Sequence, residues 1–453
     1  MSRNFELDMS KGPVFKNIIR FALPLMLASM LQLFYNAADI IVVSRFAGSD
    51  AMASVGACSP VVSLLVNFFI GISVGASVVV SRKYGANDES GIKRAVHTSM
   101  LLGTLIGAFV FVFGELLAKP ILILLDTPSG NVLDGAVLYM RIILIGTPAS
   151  LVYNFGAAIL RAVGDTKRPL YILAISGLVN VLLNLVLVIV FKMGADGVAA
   201  ATAVSNYLSA FLVIYVLVRA EGSYKLFCRE LKIYKQEIKE ILKIGVPAGL
   251  NNTVFTFANV VIQSAVNSFG SAAIAAGAAC GNIEGFIQAI KTAFAQATTT
   301  SVSQCYGAKN EVGMKKCFRV SLLCMVVGGM VLCVGFTIFS KQLLSIYITD
   351  SPEAMEYGMR RMLITVLPFF VSGIVEVLTG YLRGLGYSTV AMMNSFIGAC
   401  GFRIFWVFVI FPMFRTYEML YLCWVLSWIT VVIMHSISIR IVNKKAIENM
   451  NKA

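Results

Sequence analysis

The sequence predicts an all-α polytopic membrane protein of about twelve transmembrane helices, arranged as two pseudo-symmetric six-helix lobes. Three observations carry this. Of 453 residues, 58% are hydrophobic and only 13% charged, where a soluble domain carries roughly a quarter charged residues. Mean hydropathy is +0.83, concentrated in long apolar runs. Several short motifs also recur at one constant offset.

The runs fall near 18–43, 55–80, 95–117, 136–160, 169–191, 197–218, 245–268, 278–303, 319–340, 360–382, 389–411 and 418–439. About 20 apolar residues span a hydrocarbon core of about 30 Å as a helix. Only helices and closed barrels satisfy their backbone in lipid, and these runs lack the alternation of barrel strands. The first run is preceded by Glu6 and Asp8 and followed closely by further runs, which does not fit a cleaved signal peptide. Nine cysteines without a C-x-x-C lie mostly in or beside apolar runs, where cysteine acts as a small hydrophobe. No disulfide framework, metal site or resident cofactor is expected.

The net charge of +14 is a topology signal rather than a nucleic-acid footprint. Arg82, Lys83, Lys93, Arg94, Arg161, Lys167, Arg168, Lys309, Lys315, Lys316, Arg319, Arg440, Lys444 and Lys445 fall on alternate loops. The opposite loops hold little beyond Lys119, Lys192 and Lys341, offset by Asp126, Asp134, Asp350, Glu353 and Glu356. The positive-inside rule places both termini in the cytoplasm of a multi-pass protein of the cell (inner or plasma) membrane. The connector over 226–242 reads as a short amphipathic helix on the inner membrane surface, with Leu226, Leu231, Ile238 and Ile241 among lysines.

The repeat is the sharpest pattern. Tyr84-Gly85-Ala86 returns as Tyr306-Gly307-Ala308, a shift of 306 − 84 = 222. At that shift Cys58 meets Cys280, Glu89 meets Glu311, Lys93 meets Lys315, and Leu160-Arg161 meets Leu382-Arg383. Pro24 matches Pro247 and Pro148 matches Pro368 within a residue or two. The expected organisation is an amino-terminal six-helix lobe over 1–222, a cytoplasmic amphipathic connector over 223–244 and a carboxyl-terminal lobe over 245–453. An even number of spans per half makes these parallel repeats about an axis along the membrane normal. Transporters use that architecture, with a binding cavity at the repeat interface.

Pro24…Asp39…Gly48…Ala53, Tyr84-Gly85-Ala86, Leu160-Arg161-Ala162-Val163-Gly164-Asp165-Thr166, Asn180-x-x-x-Asn184, Gly197…Ala200-Ala201-Thr202 and Arg383-Gly384-Leu385-Gly386 stand in that order. Taken together they resemble the multidrug and toxic compound extrusion (MATE) family over nearly the whole chain. The resemblance implies two six-helix lobes that export organic cations or other amphipathic compounds against inward flow of H+ or Na+. It implies a small-molecule substrate in a lipid bilayer, a monomer, no nucleic acid and no enzymatic activity.

Asp39 sits about 9 Å along the first helix from Arg45. A charge at helix centre costs about 2.5–3.5 kcal/mol on insertion scales, so it normally faces a cavity or a partner. The resemblance points to Asp39 as the amino-lobe coupling site; snorkelling or pairing with Arg45 is the structural alternative. Asn180 and Asn184 share one helix face, and Thr202 on the next helix completes a set of oxygen ligands. Alone, each asparagine reads as an interhelical hydrogen-bond partner. Relatives often carry aspartate where Asn184 stands, and the sodium-coupled branch has carboxylates where Phe255 and Ser372 stand. Both departures weigh against sodium coordination.

For the substrate cavity the candidates are Tyr35, Asn36, Phe257, Glu284, Phe286, Gln288, Glu376 and Arg403. Glu284, Gln288 and Lys291 share a helix face. A cationic substrate favours an unpaired Glu284 or Glu376; ion pairing of Glu284 with Lys291 or Arg403 is the alternative.

Other function classes are less well supported. Gly71-Ile72-Ser73-Val74-Gly75 matches a hydrolase pattern but lies inside a span rather than at a strand-to-helix elbow. No nucleotide-binding G-x-x-x-x-G-K-[ST] loop occurs. A lipid-linked oligosaccharide flippase would need a cationic cavity, for which only Lys291 and Arg403 stand out. A membrane-embedded enzyme lacks clustered catalytic groups, and a receptor lacks an extramembrane domain.

Overall fold

The computed structural model describes residues 5–125, 127–128, 130–349 and 351–452; the side chains at 49, 50, 256, 257, 260, 451 and 452 are not among those described. Asp126 and Asp350, counted in the charge pattern, therefore lie outside the described residues, as does the side chain of Phe257.

Twelve long helices follow one another: α1 (Val14–Ala47), α2 (Gly48–Gly85), α3 (Glu89–Leu124), α4 (Asn131–Ala162), α5 (Lys167–Val190), α6 (Ala195–Val218), α7 (Lys235–Asn267), α8 (Ser271–Gly307), α9 (Glu311–Ile338), α10 (Pro352–Gly384), α11 (Ser388–Met413) and α12 (Tyr417–Lys452). Among the described residues, eleven of them, all but α7, contain a stretch long and apolar enough to cross a membrane. Their outward faces carry large apolar side chains such as Leu116, Leu124, Phe211, Phe408 and Met413, each at least 65% exposed, as lipid contact requires.

The chain divides into two compact units. One comprises Met1–Leu7 and Leu27–Gly245, the other Asp8–Met26 and Val246–Ala453. In the first, the amino-lobe unit, α4 is the central helix and packs on α2, α3 and α6. Gly107 lets α3 approach α4 closely, because a Cβ there would lie 2.6 Å from Pro148 Cα. In the carboxyl-lobe unit α10 takes the central place, packing on α8, α9 and α12.

The 222-residue offset is written into the backbone of each unit. Asn87 and Lys309 both adopt positive φ, 54° and 55°, uncommon for residues other than glycine. The next residues, Asp88 and Asn310, each cap the following helix by accepting from a glycine N–H, Gly91 at 2.9 Å and Gly313 at 2.8 Å. Cys58 Sγ donates to the Ala136 carbonyl and Cys280 Sγ to that of Gly358, again 222 apart. Gly164 and Gly386 take φ of 87° and 82° in matching turns.

The connector differs from the helix expected over 226–242. Residues 231–234 are irregular after a short 3-10 turn at Cys228–Glu230, and α7 begins at Lys235 and continues unbroken into its apolar stretch. The irregular part is held by α3: Phe227 N–H donates to His97 Nε2 (3.1 Å) and Tyr234 N–H to Thr98 Oγ1 (3.2 Å). Arg94 pairs with buried Glu237 at 2.8 Å. These side chains satisfy backbone groups that a helix would have satisfied internally.

Candidate functional site

In the amino-lobe unit the four residues expected to handle a cation meet in one hydrogen-bonded cluster. Asn184 donates from Nδ2 to Asp39 Oδ1 (2.5 Å) and to Asn180 Oδ1 (3.3 Å). Asn180 donates to Thr202 Oγ1 at 3.3 Å, and that hydroxyl donates to the Val198 carbonyl at 3.0 Å. Helices α1, α5 and α6 each supply a part. Asn180 and Asn184 are buried and Asp39 is half-buried, so the carboxylate sits at the more exposed edge of the cluster. Asp39 is not paired with Arg45 among the described residues.

Two oxygens of the cluster are unspent. Among the described residues Asn184 Oδ1 is buried and accepts nothing, and Asp39 accepts a single bond, at Oδ1. A buried acceptor without a donor costs its full desolvation, and a cation or proton would relieve it. Local geometry marks the same place: α1 widens to a π-turn at Val43–Ala47 and α5 at Val186–Val190, features common at functional sites.

Tyr35 packs beside this cluster on α5, its hydroxyl donating to the Ala174 carbonyl at 3.2 Å. Gly177 makes the approach possible; a Cβ there would fall 1.9 Å from Tyr35 Cε2. Asn36 is exposed one residue on.

The carboxyl-lobe candidates are arranged otherwise than a cationic substrate would favour. Glu284 is buried and its two carboxylate oxygens each accept from Arg361 Nη2 at 3.0 Å, with Thr365 Oγ1 donating to Oε1 at 3.2 Å. Its partner is thus Arg361, rather than Lys291 or Arg403. Lys291 is buried and donates to Ser372 Oγ at 2.6 Å, over the ring of Phe369. Glu376 is half-buried and near enough to act on that charge. Arg403 is 2% exposed and donates to Ser427 Oγ (3.1 Å) and Asn259 Oδ1 (2.9 Å). Phe286 is half-buried and Gln288 exposed. Arg361, Asn259 and Trp424 were missed by sequence reasoning.

The family model described as MatE matches residues 24–186 and again 247–409, so each half is recognised separately at an offset of 247 − 24 = 223. The chain belongs to the MATE family. It is a multi-pass membrane transporter and not an enzyme. The probable multidrug resistance protein YoeA of Bacillus subtilis is 30% identical to this MATE transporter over 83% of its length and 82% of YoeA. The FAD transporter of Shewanella oneidensis is 24% identical over 76% and 77% of the two chains. A solved MATE structure in complex with MaL6 superposes with a TM-score of 0.90, at 20% identity, over 98% of this chain and 99% of that one. That likeness shows that the two share a fold.

Proposed function

We propose that this MATE transporter is an antiporter that exports amphipathic drug-like compounds, organic cations among them, across the cell membrane in exchange for H+ or Na+. The observation that carries the reading is the closed cluster of Asp39, Asn184, Asn180 and Thr202 with two oxygens left unspent. Its ligating groups are oxygens, which suits a proton or a hard cation. The bond from Asn184 holds the carboxylate in place while Asp39 remains half-exposed to an entering ion. Binding there would bias the protein between two states only as far as the ion prefers one of them.

The relatives' names, a multidrug resistance protein and an FAD transporter, support small-molecule export while differing in what is carried. The lysine and arginine asymmetry between loops supports cytoplasmic termini, and we read the working protein as a monomer of two lobes.

The test is gradient-driven flux of a fluorescent organic cation in proteoliposomes under imposed proton or sodium gradients. Flux driven by one gradient and lost in Asp39→Asn supports the reading and names the ion. Full flux in Asp39→Asn would remove the cluster from coupling. No flux for a broad dye panel would put a lipid-linked oligosaccharide flippase or a narrow metabolite exporter in its place.

A further inference from the structure

The buried charge of the carboxyl-lobe unit does not balance. Among the described residues Lys291, Arg361 and Arg403 are buried against one buried carboxylate, Glu284, an excess of 3 − 1 = 2 positive charges, with Glu376 half-buried. Glu284 is consumed by Arg361, and Glu376 acts on Lys291. Arg403 is left with neutral partners among the described residues: a hydroxyl, an amide oxygen and the faces of Trp424 (4.9 Å) and Phe255 (6.0 Å). Intramembrane guanidinium groups ordinarily pair with an anion or line a polar space. Beside it, Trp424 Nε1–H is buried and has no acceptor among the described residues. Indole is a donor only, so both unmet needs call for the same thing, a negatively charged acceptor.

The backbone is shaped around the spot. Arg403 lies between π-turns at Phe396–Gly401 and Trp406–Ile410, and Arg361 immediately precedes one at Met362–Val366. Arg361 faces the same indole as Arg403, 5.9 Å from its centroid. Asn259, which takes the bond from Arg403 Nη1, is exposed, so the guanidinium lies one side chain in from the surface of the unit.

We propose that Arg403 and the Trp424 indole N–H form an anion-accepting subsite, and that amphipathic substrates bearing a carboxylate, sulfonate or phosphate seat that group there. Ser427 and Asn259 orient the guanidinium, which matches the fork of oxygens on such a group. Phe255 and Trp424 supply an aromatic wall for the attached apolar body. The proposal deepens the transport reading above and rests on it for the word substrate, but its test needs no transport.

Binding of naphthalene-2-sulfonate, its trimethylammonium counterpart and inorganic sulfate is measured by calorimetry on the purified protein. The wild type is expected to bind the sulfonate at least tenfold more tightly than either the ammonium compound or sulfate. Arg403→Met should shift the sulfonate-over-ammonium preference by tenfold or more, Trp424→Phe by a few-fold, and Arg403→Lys, which keeps the charge but loses the fork, should recover only part of it. Equal preference in wild type and Arg403→Met, a wild type that favours the ammonium compound, or sulfate binding as tightly as the naphthyl anion would each overturn the proposal. If Arg403→Met does not fold, the wild-type ranking and Trp424→Phe still decide. Sulfonate binding without gradient-driven flux of any probe would count against the transport reading alone; flux of cations without sulfonate binding would count against this inference alone.

Discussion

Asn184 donates its amide N–H to the carboxylate of Asp39 across 145 residues of sequence, at 2.5 Å. Its own amide oxygen is buried and accepts nothing among the described residues. The two residues therefore form a half-complete site in which the asparagine both holds the carboxylate and offers a second oxygen. Hydrogen bonds to charged groups contribute about 1.5–3 kcal/mol, and 1.4 kcal/mol is tenfold in affinity. Asn184→Ala should accordingly weaken activation of flux by the coupling ion by about 10- to 100-fold, with Asp39 still present. Titrating flux against that ion in proteoliposomes reads this directly; an unchanged half-saturating concentration would show that the asparagine is only an interhelical bond.

Gly177 gives a steric test of the neighbouring wall. Any side chain there starts with a Cβ 1.9 Å from the Tyr35 ring, so the ring must move and its bond to Ala174 breaks. Overpacking costs about 1–3 kcal/mol. Gly177→Val should raise the substrate concentration for half-maximal flux several-fold and lower the melting temperature by a few degrees. Tyr35→Phe, which removes only the hydroxyl, should stay within about threefold of wild type. Comparing the two by flux and thermal melting separates the position of the ring from its hydrogen bond.

The buried pair of Glu284 and Arg361 predicts an asymmetric response to mutation. Removing one partner of such a pair strands the other charge and costs about 3–5 kcal/mol, whereas replacing both by apolar residues is often near neutral. Glu284→Gln should lower the thermal stability of the purified protein markedly. The double change Glu284→Leu with Arg361→Met should restore much of the loss. A double-mutant cycle on melting temperatures decides it, and additive losses would mean that the pair is not coupled in the folded protein.

What the sequence made legible was local. The repeat could be read because its marks are caps and turns: Asp88 and Asn310 at helix starts, Asn87 and Lys309 at positive φ. The amino-lobe cluster could be read because Asn180 and Asn184 lie one turn apart and Asp39 is the acid in its span. The pairing of Glu284 could not, since Arg361 is 77 residues away and stands beside a second arginine at the edge of the expected span. Adjacent helical residues point about 100° apart: Arg360 turns outward to Glu356 and Glu418, while Arg361 turns in. The connector was misjudged for a related reason. Apolar residues among lysines suit a surface helix as well as a segment pinned by His97 and Thr98, and only the tertiary partners distinguish the two.

Asp165, in the turn between α4 and α5, supplies a pH test outside the spans. Its Oδ1 accepts from the backbone N–H groups of Lys167 and Arg168, both at 3.1 Å, so it caps α5. The residue is completely buried, and its Oδ2 has an ion-pair contact with Arg168 at 3.4 Å but no hydrogen bond. Burial outweighs these partners and pushes its pKa up to about 6 from 3.8. A carboxyl whose folded pKa is raised holds its proton longer in the folded state. Its stabilising contribution is complete below about pH 4 and is lost as pH rises through about 6. A shift of that size corresponds to about 2–3 kcal/mol. Asp165→Asn keeps an acceptor for the cap but has no charge to bury. The variant should melt at a higher temperature than wild type at pH 7.5 and show a flatter profile between pH 4 and 7. Thermal unfolding of both proteins across that range checks the sign. A wild type that gains stability as pH rises through 6, with the gain lost in Asp165→Asn, would show instead that the pairing with Arg168 outweighs burial.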